Sequence, residues 1–290
     1  MDQNLKLAVS SYSFLGAVRR GMLSYDDILP KAKEMGFAGV EYAGLELPAG
    51  MTAEEYAEAL REKAKALQLE LTCYSVGANF LCPDPEGETE RVKAEVRIAQ
   101  RLGVKYMRHD VCYAPMPGGR RSFEANLPLL VKCVRSVTEY AESLGIKTMV
   151  ENHGMFCQDS HRVEMLIDAV DSPNYGALID LGNFLCADED PAKAAGILKD
   201  YAFYVHCKDF YYKEGAGRRA APEGPGWIRT RGGNYIKGAA VGDGCVPVAK
   251  CLGILRDAGF RGVTAIEYEG TEDPLECIAA GKRYLEKTID

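Results

Sequence analysis

The chain alternates between two hydrophobic periodicities along its length. Stretches with apolar residues at every second position, the mark of strands, give way to stretches with apolar residues three and four apart, the mark of helices. Strands are predicted over 5–14, 38–42, 69–78, 104–111, 147–153, 175–181, 202–210 and 262–268. Helices are predicted from residue 24 and over 52–67, 88–102, 123–144, 160–170, 191–198, 247–258 and about 273–287. Ser24 with Asp27, and Thr52 with Glu55, have the spacing of capping boxes. Gly36, Gly103, Gly145 and Gly259 stand at helix-to-strand joints, where a left-handed residue closes a helix. Strand–helix units of this number and order predict a parallel sheet closed into one (β/α)8 TIM barrel, a single domain over 1–290. The competing architecture is an open doubly wound sheet, but no G-x-G-x-x-G follows the first strand.

Four of the apolar runs end abruptly in polar groups. They are Met149-Val150-Glu151-Asn152-His153, Leu178-Ile179-Asp180, Val205-His206 and Ala265-Ile266-Glu267. A buried strand gains nothing by ending in groups that are costly to desolvate, unless something such as a metal ion compensates. In a barrel the C-terminal ends of all strands share one rim, so Glu151, Asp180, His206 and Glu267 are expected to converge. Three carboxylates and one imidazole suit one divalent cation: Mn²⁺, Mg²⁺, Co²⁺ or Zn²⁺. Strand alternation predicts that His153 points the same way as Glu151. Glu41 ends the second strand, and His109 lies near the end of the fourth with Arg108 and Asp110 beside it; these early strands are assigned to substrate binding. Lys208, in register with His206, either meets a substrate oxygen or leaving hydroxyl, or pairs with Glu269 or Asp209. His161 opens a helix and is read as a surface residue.

Residues 213–244 break the rhythm: rich in Gly, Pro and Arg, they show no apolar periodicity. They include the sole tryptophan, Trp227, and the cations Lys213, Arg218, Arg219, Arg229, Arg231 and Lys237 against Glu214 and Glu223. Placed after strand seven, such a loop lies on the active face and is expected to act as a lid, with Trp227 and Arg229 as substrate contacts. Whether its basic residues meet a phosphate or a neighbouring subunit of a homo-oligomer stays open, and so does a phosphate-cradling role for Gly242-Asp243-Gly244.

Composition narrows the function. A net charge of −7 argues against a nucleic-acid binder. No apolar run approaches the roughly 20 residues that span a bilayer, and the start, Met1-Asp2-Gln3-Asn4-Leu5, lacks a basic and apolar leader pattern. The ten cysteines are scattered without a C-x-x-C pair, which suits reduced apolar residues in the cytoplasm.

Glu151, Asp180-Leu181-Gly182-Asn183, Val205-His206-Cys207-Lys208-Asp209, Val241-Gly242-Asp243-Gly244 and Ala265-Ile266-Glu267-Tyr268-Glu269 together resemble the xylose-isomerase-like barrels described as sugar phosphate isomerases/epimerases. The resemblance covers essentially the whole chain. It implies a divalent metal on Glu151, Asp180, His206 and Glu267, with the two glutamates shuttling a proton next to a carbonyl through an enediolate. It also implies a small-molecule carbohydrate substrate, with Asn183 on the substrate side. The chain departs from the ketose 3-epimerase pattern at Asn183, where those enzymes carry a histidine, and at His153, which they lack. The Glu151-Asn152-His153 ending is closer to dehydratases and lyases of oxidised sugars and inososes, with His153 or Lys208 as acid/base. An apurinic-site endonuclease, which uses a related barrel, would need further histidines and a basic groove. A non-catalytic sugar-binding barrel is the remaining alternative.

Overall fold

The computed structural model describes residues 5–215 and 222–289. Parallel strands β1 (Lys6–Ser10), β2 (Gly39–Ala43), β3 (Glu70–Val76), β4 (Tyr106–His109), β5 (Lys147–Glu151), β6 (Tyr175–Asp180) and β7 (Ala202–Cys207) follow one another around the barrel. Three strands of a separate sheet intervene: β8 (Asp209–Lys213), β9 (Ile228–Arg229) and β10 (Tyr235–Ala239). β11 (Val263–Ile266) then closes the barrel between β7 and β1. The helices outside are α1 (Leu15–Arg19), α2 (Ile28–Glu34), α3 (Ala53–Ala66), α4 (Pro85–Leu102), α5 (Phe123–Ser143), α6 (Ser160–Val170), α7 (Pro191–Leu198), α8 (Val248–Asp257) and α9 (Pro274–Ile289). The predicted (β/α)8 barrel is therefore the fold.

Local chemistry accounts for most boundaries. Both predicted capping boxes form, at Ser24–Asp27 and Thr52–Glu55. Gly36, Gly103, Gly145 and Gly259 have φ between +73° and +94°, the left-handed closure that glycine adopts without strain. α4 begins at Pro85 rather than 88, because Asp84 accepts the Gly87 N–H at 2.9 Å and proline suits a first helical turn. The first strand stops at Ser10, and 11–14, expected as strand, form a tight helical turn whose Tyr12 N–H meets the Ser10 hydroxyl.

Two layers fill the lumen. Ala8, Cys73, Met149, Leu178, Tyr204 and Ala265 pack as an apolar plug. Two positions further along their strands stand Ser10, Ser75, Glu151, Asp180 and His206, on the same face by strand alternation, and Glu267, one residue past β11, joins them. The large core between barrel and helices holds the opposite face, including Val9, Val150, Ile179, Val205 and Ile266.

The expectation of a structureless 213–244 segment is overturned. β10 pairs antiparallel with both β8 and β9, and Ile236 is fully buried between its partners Tyr212 and Ile228. Apolar alternation was present, but in strands too short to show as a periodicity. Arg218 and Arg219 lie outside the described residues.

Candidate metal and substrate site

Glu151 ends β5, Asp180 ends β6, His206 lies near the end of β7, and Glu267 follows β11. One ligand-type atom from each lies within 4.8 Å of the others, and all four residues are buried. His206 Nδ1 is 3.8 Å from Glu151 Oε1, 3.8 Å from Asp180 Oδ2 and 3.7 Å from Glu267 Oε1. Each side chain has a support that fixes it. His206 Nε2–H donates to Glu41 Oε2 at 2.5 Å, which turns Nδ1 toward the carboxylates. Asp180 Oδ1 accepts the N–H groups of Gly182 and Asn183, both at 2.8 Å, which leaves Oδ2 facing the cluster. Asn183 Nδ2 donates to Glu151 Oε1 at 2.9 Å.

The arrangement fits a divalent cation on two counts. His206 Nδ1 and Asp180 Oδ2 are buried without a hydrogen-bond partner, the cost that a shared ion would remove. Among the described residues, the buried carboxylates around the cluster (Glu41, Asp110, Glu151, Asp180 and Glu267) have two buried obligate cations beside them, Arg108 and Lys208. Without an ion the mismatch falls on protonation. Burial, helped by Glu151 and Glu267 and opposed by Lys208, pushes the Asp180 carboxyl up to about 7. Burial disfavours the His206 cation, but Glu41 and Glu267 outweigh it and hold the imidazole well above its ordinary range.

Lys208 is buried beside the cluster, 2.5 Å from Glu267 Oε2, 3.3 Å from Asp180 Oδ2 and 3.4 Å from Glu269 Oε2. Its charge survives burial because these carboxylates surround it. Burial would raise the Glu267 carboxyl, yet Lys208 and His206 hold it below its ordinary value. Burial acts the same way on Glu151, and Arg108 overcomes it.

Other expected residues stand elsewhere. Glu41, expected on the substrate side, is wholly buried behind His206, where it accepts from the imidazole and from Ser75 Oγ at 2.7 Å. His109 faces away from the lumen because its neighbour Arg108 faces in. Its ring packs against Phe80 and Tyr175, and burial lowers its pKa to about 4. β5 ends at Glu151, so alternation does not carry on to His153. The His153 ring turns to Asp110, at 2.9 Å, and this partner holds its pKa up against the effect of burial. Asp209, one candidate partner of Lys208, is occupied otherwise: it accepts from the amides of Phe210, Gly242, Gly244 and Val246 at 2.8–3.0 Å. The Gly242–Gly244 turn thus cradles an internal carboxylate.

The β8–β10 sheet is fastened across neighbouring rim loops. Arg231 donates to Asp159 Oδ2 at 2.8 Å and to the Met155 carbonyl at 2.6 Å. Thr230 and Asn234 donate to Asp188 Oδ1, both at 2.7 Å. On the other side Lys237 pairs with Glu272 at 2.7 Å. Gly238 passes so close to the Glu269 carbonyl that a Cβ would lie 1.2 Å from its oxygen. Trp227 lies under Lys213 Nζ, 4.9 Å from the ring centroid, and Arg229 is exposed; neither contacts the cluster.

Arg108 and Asp110 were named in the sequence only as neighbours of His109, yet Arg108 contacts both Glu151 and Asp110. The signal was the charged run Arg108-His109-Asp110 at the end of an apolar strand. A cleft of about 440 Å³ between the ends of β2 and β3 is lined by Tyr74, Ser75, Arg91, Glu95 and Arg108.

Fold and site together define a TIM barrel whose polar upper lumen could hold a metal ion. The chain belongs to the xylose isomerase-like TIM barrel family, whose model matches residues 29–288. No curated protein sequence matches it. Among solved structures it is similar to a xylose isomerase-like TIM barrel protein from Mycobacterium smegmatis in complex with magnesium, at 16% identity and TM-score 0.74 over 98% of this chain and 96% of that one. It is also similar to the probable 3-DHS dehydratase AsbF from Bacillus anthracis, at 19% identity and TM-score 0.71 over 97% and 99%. A third is 3-keto-D-glucoside 4-epimerase from E. coli, at 14% identity and TM-score 0.70 over 98% and 99%. At these identities the likeness establishes the fold alone.

Proposed function

We propose that the protein is a divalent-metal-dependent isomerase or epimerase of a sugar or keto-sugar, working by proton transfer next to a carbonyl. The observation that carries this reading is the orphaned pair His206 Nδ1 and Asp180 Oδ2, flanked by Glu151 and Glu267. Glu151, Asp180, His206 and Glu267 would hold the ion; Mn²⁺, Mg²⁺, Co²⁺ and Zn²⁺ all suit the donor set. Once bound, it would supply Lewis-acid polarisation of substrate oxygens.

The chain's own residues do the rest. Glu151 on β5 and Glu267 beyond β11 flank the cluster, with β6 and β7 between them. Arg108 and Lys208 keep the two glutamates ionised, so either can take a carbon-bound proton. Lys208 and Asn183 hold substrate oxygens beside the cluster. The β8–β10 sheet limits water access at the rim, and Trp227 and Arg229, which lie away from the cluster, would reach substrate only if the sheet moved toward it. A reducing cytoplasm, where we place it, would keep the ten cysteines as thiols.

A second reading, a lyase or dehydratase on a keto-sugar or inosose, is favoured by His153. Its ring is held at Nδ1 by Asp110 and is 42% exposed, which leaves Nε2 free to give a proton to a leaving hydroxyl, a role that the two ionised glutamates do not fill. One experiment serves both readings. The Mn²⁺-loaded protein is incubated in D₂O with ketoses, 3-keto-glycosides and inososes, and both deuterium incorporation and product are followed. Exchange with an epimer or isomer as product supports the first reading, and exchange with loss of water supports the second. No exchange on any of them, with metal bound, refutes both.

A further inference from the structure

Asp110 lies outside the four-residue cluster, only 4% exposed, and its contacts converge on one task. Oδ1 accepts from His153 Nδ1 at 2.9 Å and from Arg108 Nη2 at 2.9 Å, while Oδ2 accepts from the Tyr113 hydroxyl at 2.9 Å. The backbone is pinned as well. Its N–H donates to the Val76 carbonyl at 3.2 Å, and its carbonyl accepts from His109 Nδ1 at 2.8 Å. This carboxylate has no freedom to turn.

His153 is the opposite case. It stands beyond the end of β5, its side chain 42% exposed. Among the described residues its ring has one hydrogen-bond partner, Asp110, and its flank is the Tyr113 ring at 6.4 Å. Tyr113 is in turn held by Asp110. The only ring nitrogen left free is Nε2. Arg108 contacts both Asp110 and Glu151 through the same Nη2, so one guanidinium keys His153 and Glu151 to each other.

We propose that Asp110 is a positioning residue that fixes His153 as the Nδ1–H tautomer and presents Nε2 to the substrate beside Glu151. Only the role given to Nε2 rests on the functional reading above; the Asp110–His153 pair stands without it. A mere counter-charge for Arg108 would not need the contact to His153, since Glu151 already pairs with Arg108.

The test reads the ring directly. The full chain, with Mg²⁺ present, is labelled with ¹⁵N-histidine, and two-bond ¹⁵N–¹H spectra are recorded in alkaline buffer, where the ring is neutral. With four histidines in the sequence, His153→Gln assigns the signal. The wild type is expected to show the Nδ1–H tautomer, and Asp110→Asn a clear rise in the Nε2–H form with unchanged metal binding. On any substrate that the protein turns over, Asp110→Asn should lower kcat roughly 10–100-fold with KM within about threefold. An Nε2–H tautomer in the wild type, the same tautomer in both proteins, or an undiminished kcat would overturn the proposal. Should Asp110→Asn fail to fold, the wild-type tautomer alone decides. If no sugar is turned over, the functional reading falls while the ring spectrum still judges the pair.

Discussion

The lower and upper layers of the lumen lie on the same strands, two residues apart, and differ in almost everything else. Below, Met149, Leu178, Tyr204 and Ala265 form an apolar plug; above, Glu151, Asp180, His206 and Glu267 crowd negative charge into a buried space. The plug's energetics are those of any core: apolar area leaves water, and dispersion attraction between closely packed atoms adds to that. The upper layer costs free energy in isolation, and its supports (Glu41, Arg108, Asn183 and Lys208) hold it in an arrangement short of positive charge. The contrast teaches that the strands are built for stability up to one layer, and in the next carry a buried polar cluster that could hold a metal ion.

The largest effect that sharpens this division is on proton transfer. Glu267→Gln removes the proposed base without a large change in volume and should lower solvent-deuterium exchange by about 10²–10⁴-fold, with folding little changed by circular dichroism. Exchange within about threefold of wild type would return Glu267 to a structural role.

Breaking the lower layer should do the reverse. Leu178 is fully buried, so Leu178→Ala is expected to cost about 2–5 kcal/mol in denaturant unfolding. The metal content of the folded variant should stay at the wild-type level.

Asp180→Asn tests the charge imbalance itself. The folded carboxyl titrates near 7 against an ordinary value of 3.8, so the folded state retains a proton that the unfolded chain releases. Asp180's contribution to the stability of the metal-free protein should therefore fall as pH rises from about 4 to about 7, while buried His109, held down to about 4, pulls the other way up to its ordinary 6.5. The difference between wild type and Asp180→Asn across that range isolates the Asp180 part. Metal at a hundred times its Kd should stabilise the wild type by about 2.7 kcal/mol, a gain absent in the variant. Thermal melts across pH, with and without Mn²⁺, measure both; a metal-induced rise equal in the two proteins would remove Asp180 from the ligand set.

The smallest effect concerns the rim sheet. Arg231→Ala cuts its ties to Asp159 and Met155. Because Arg231 is partly exposed, about 1 kcal/mol or less of global stability is at stake. Faster proteolytic cleavage within 222–234 and a several-fold rise in KM are expected, and unchanged values for both would make the sheet a fixed surface feature.

What the sequence determined by itself was whatever short-range periodicity encodes. The eight barrel strands, the capping boxes, the left-handed glycines and α6 at 160–170 were legible because each depends on neighbours a few residues away. The four cluster residues were legible for the same reason: each ends a local apolar run, and barrel topology makes such ends converge. Tertiary structure decided everything that hangs on which way a side chain turns between strands. Glu41 and His206 are 165 residues apart, and only the closed barrel makes one the support of the other. Whether Arg108 or His109 enters the lumen depends on how β4 is staggered against β3 and β5, a one-residue choice that exchanges the two faces. His153 escaped the alternation argument because β5 ends two residues earlier, where Asp110 replaces the strand ladder as its guide. Ile228 and Ile236 form a sheet only because their pairing spans a turn that looks, residue by residue, like an unstructured polar loop.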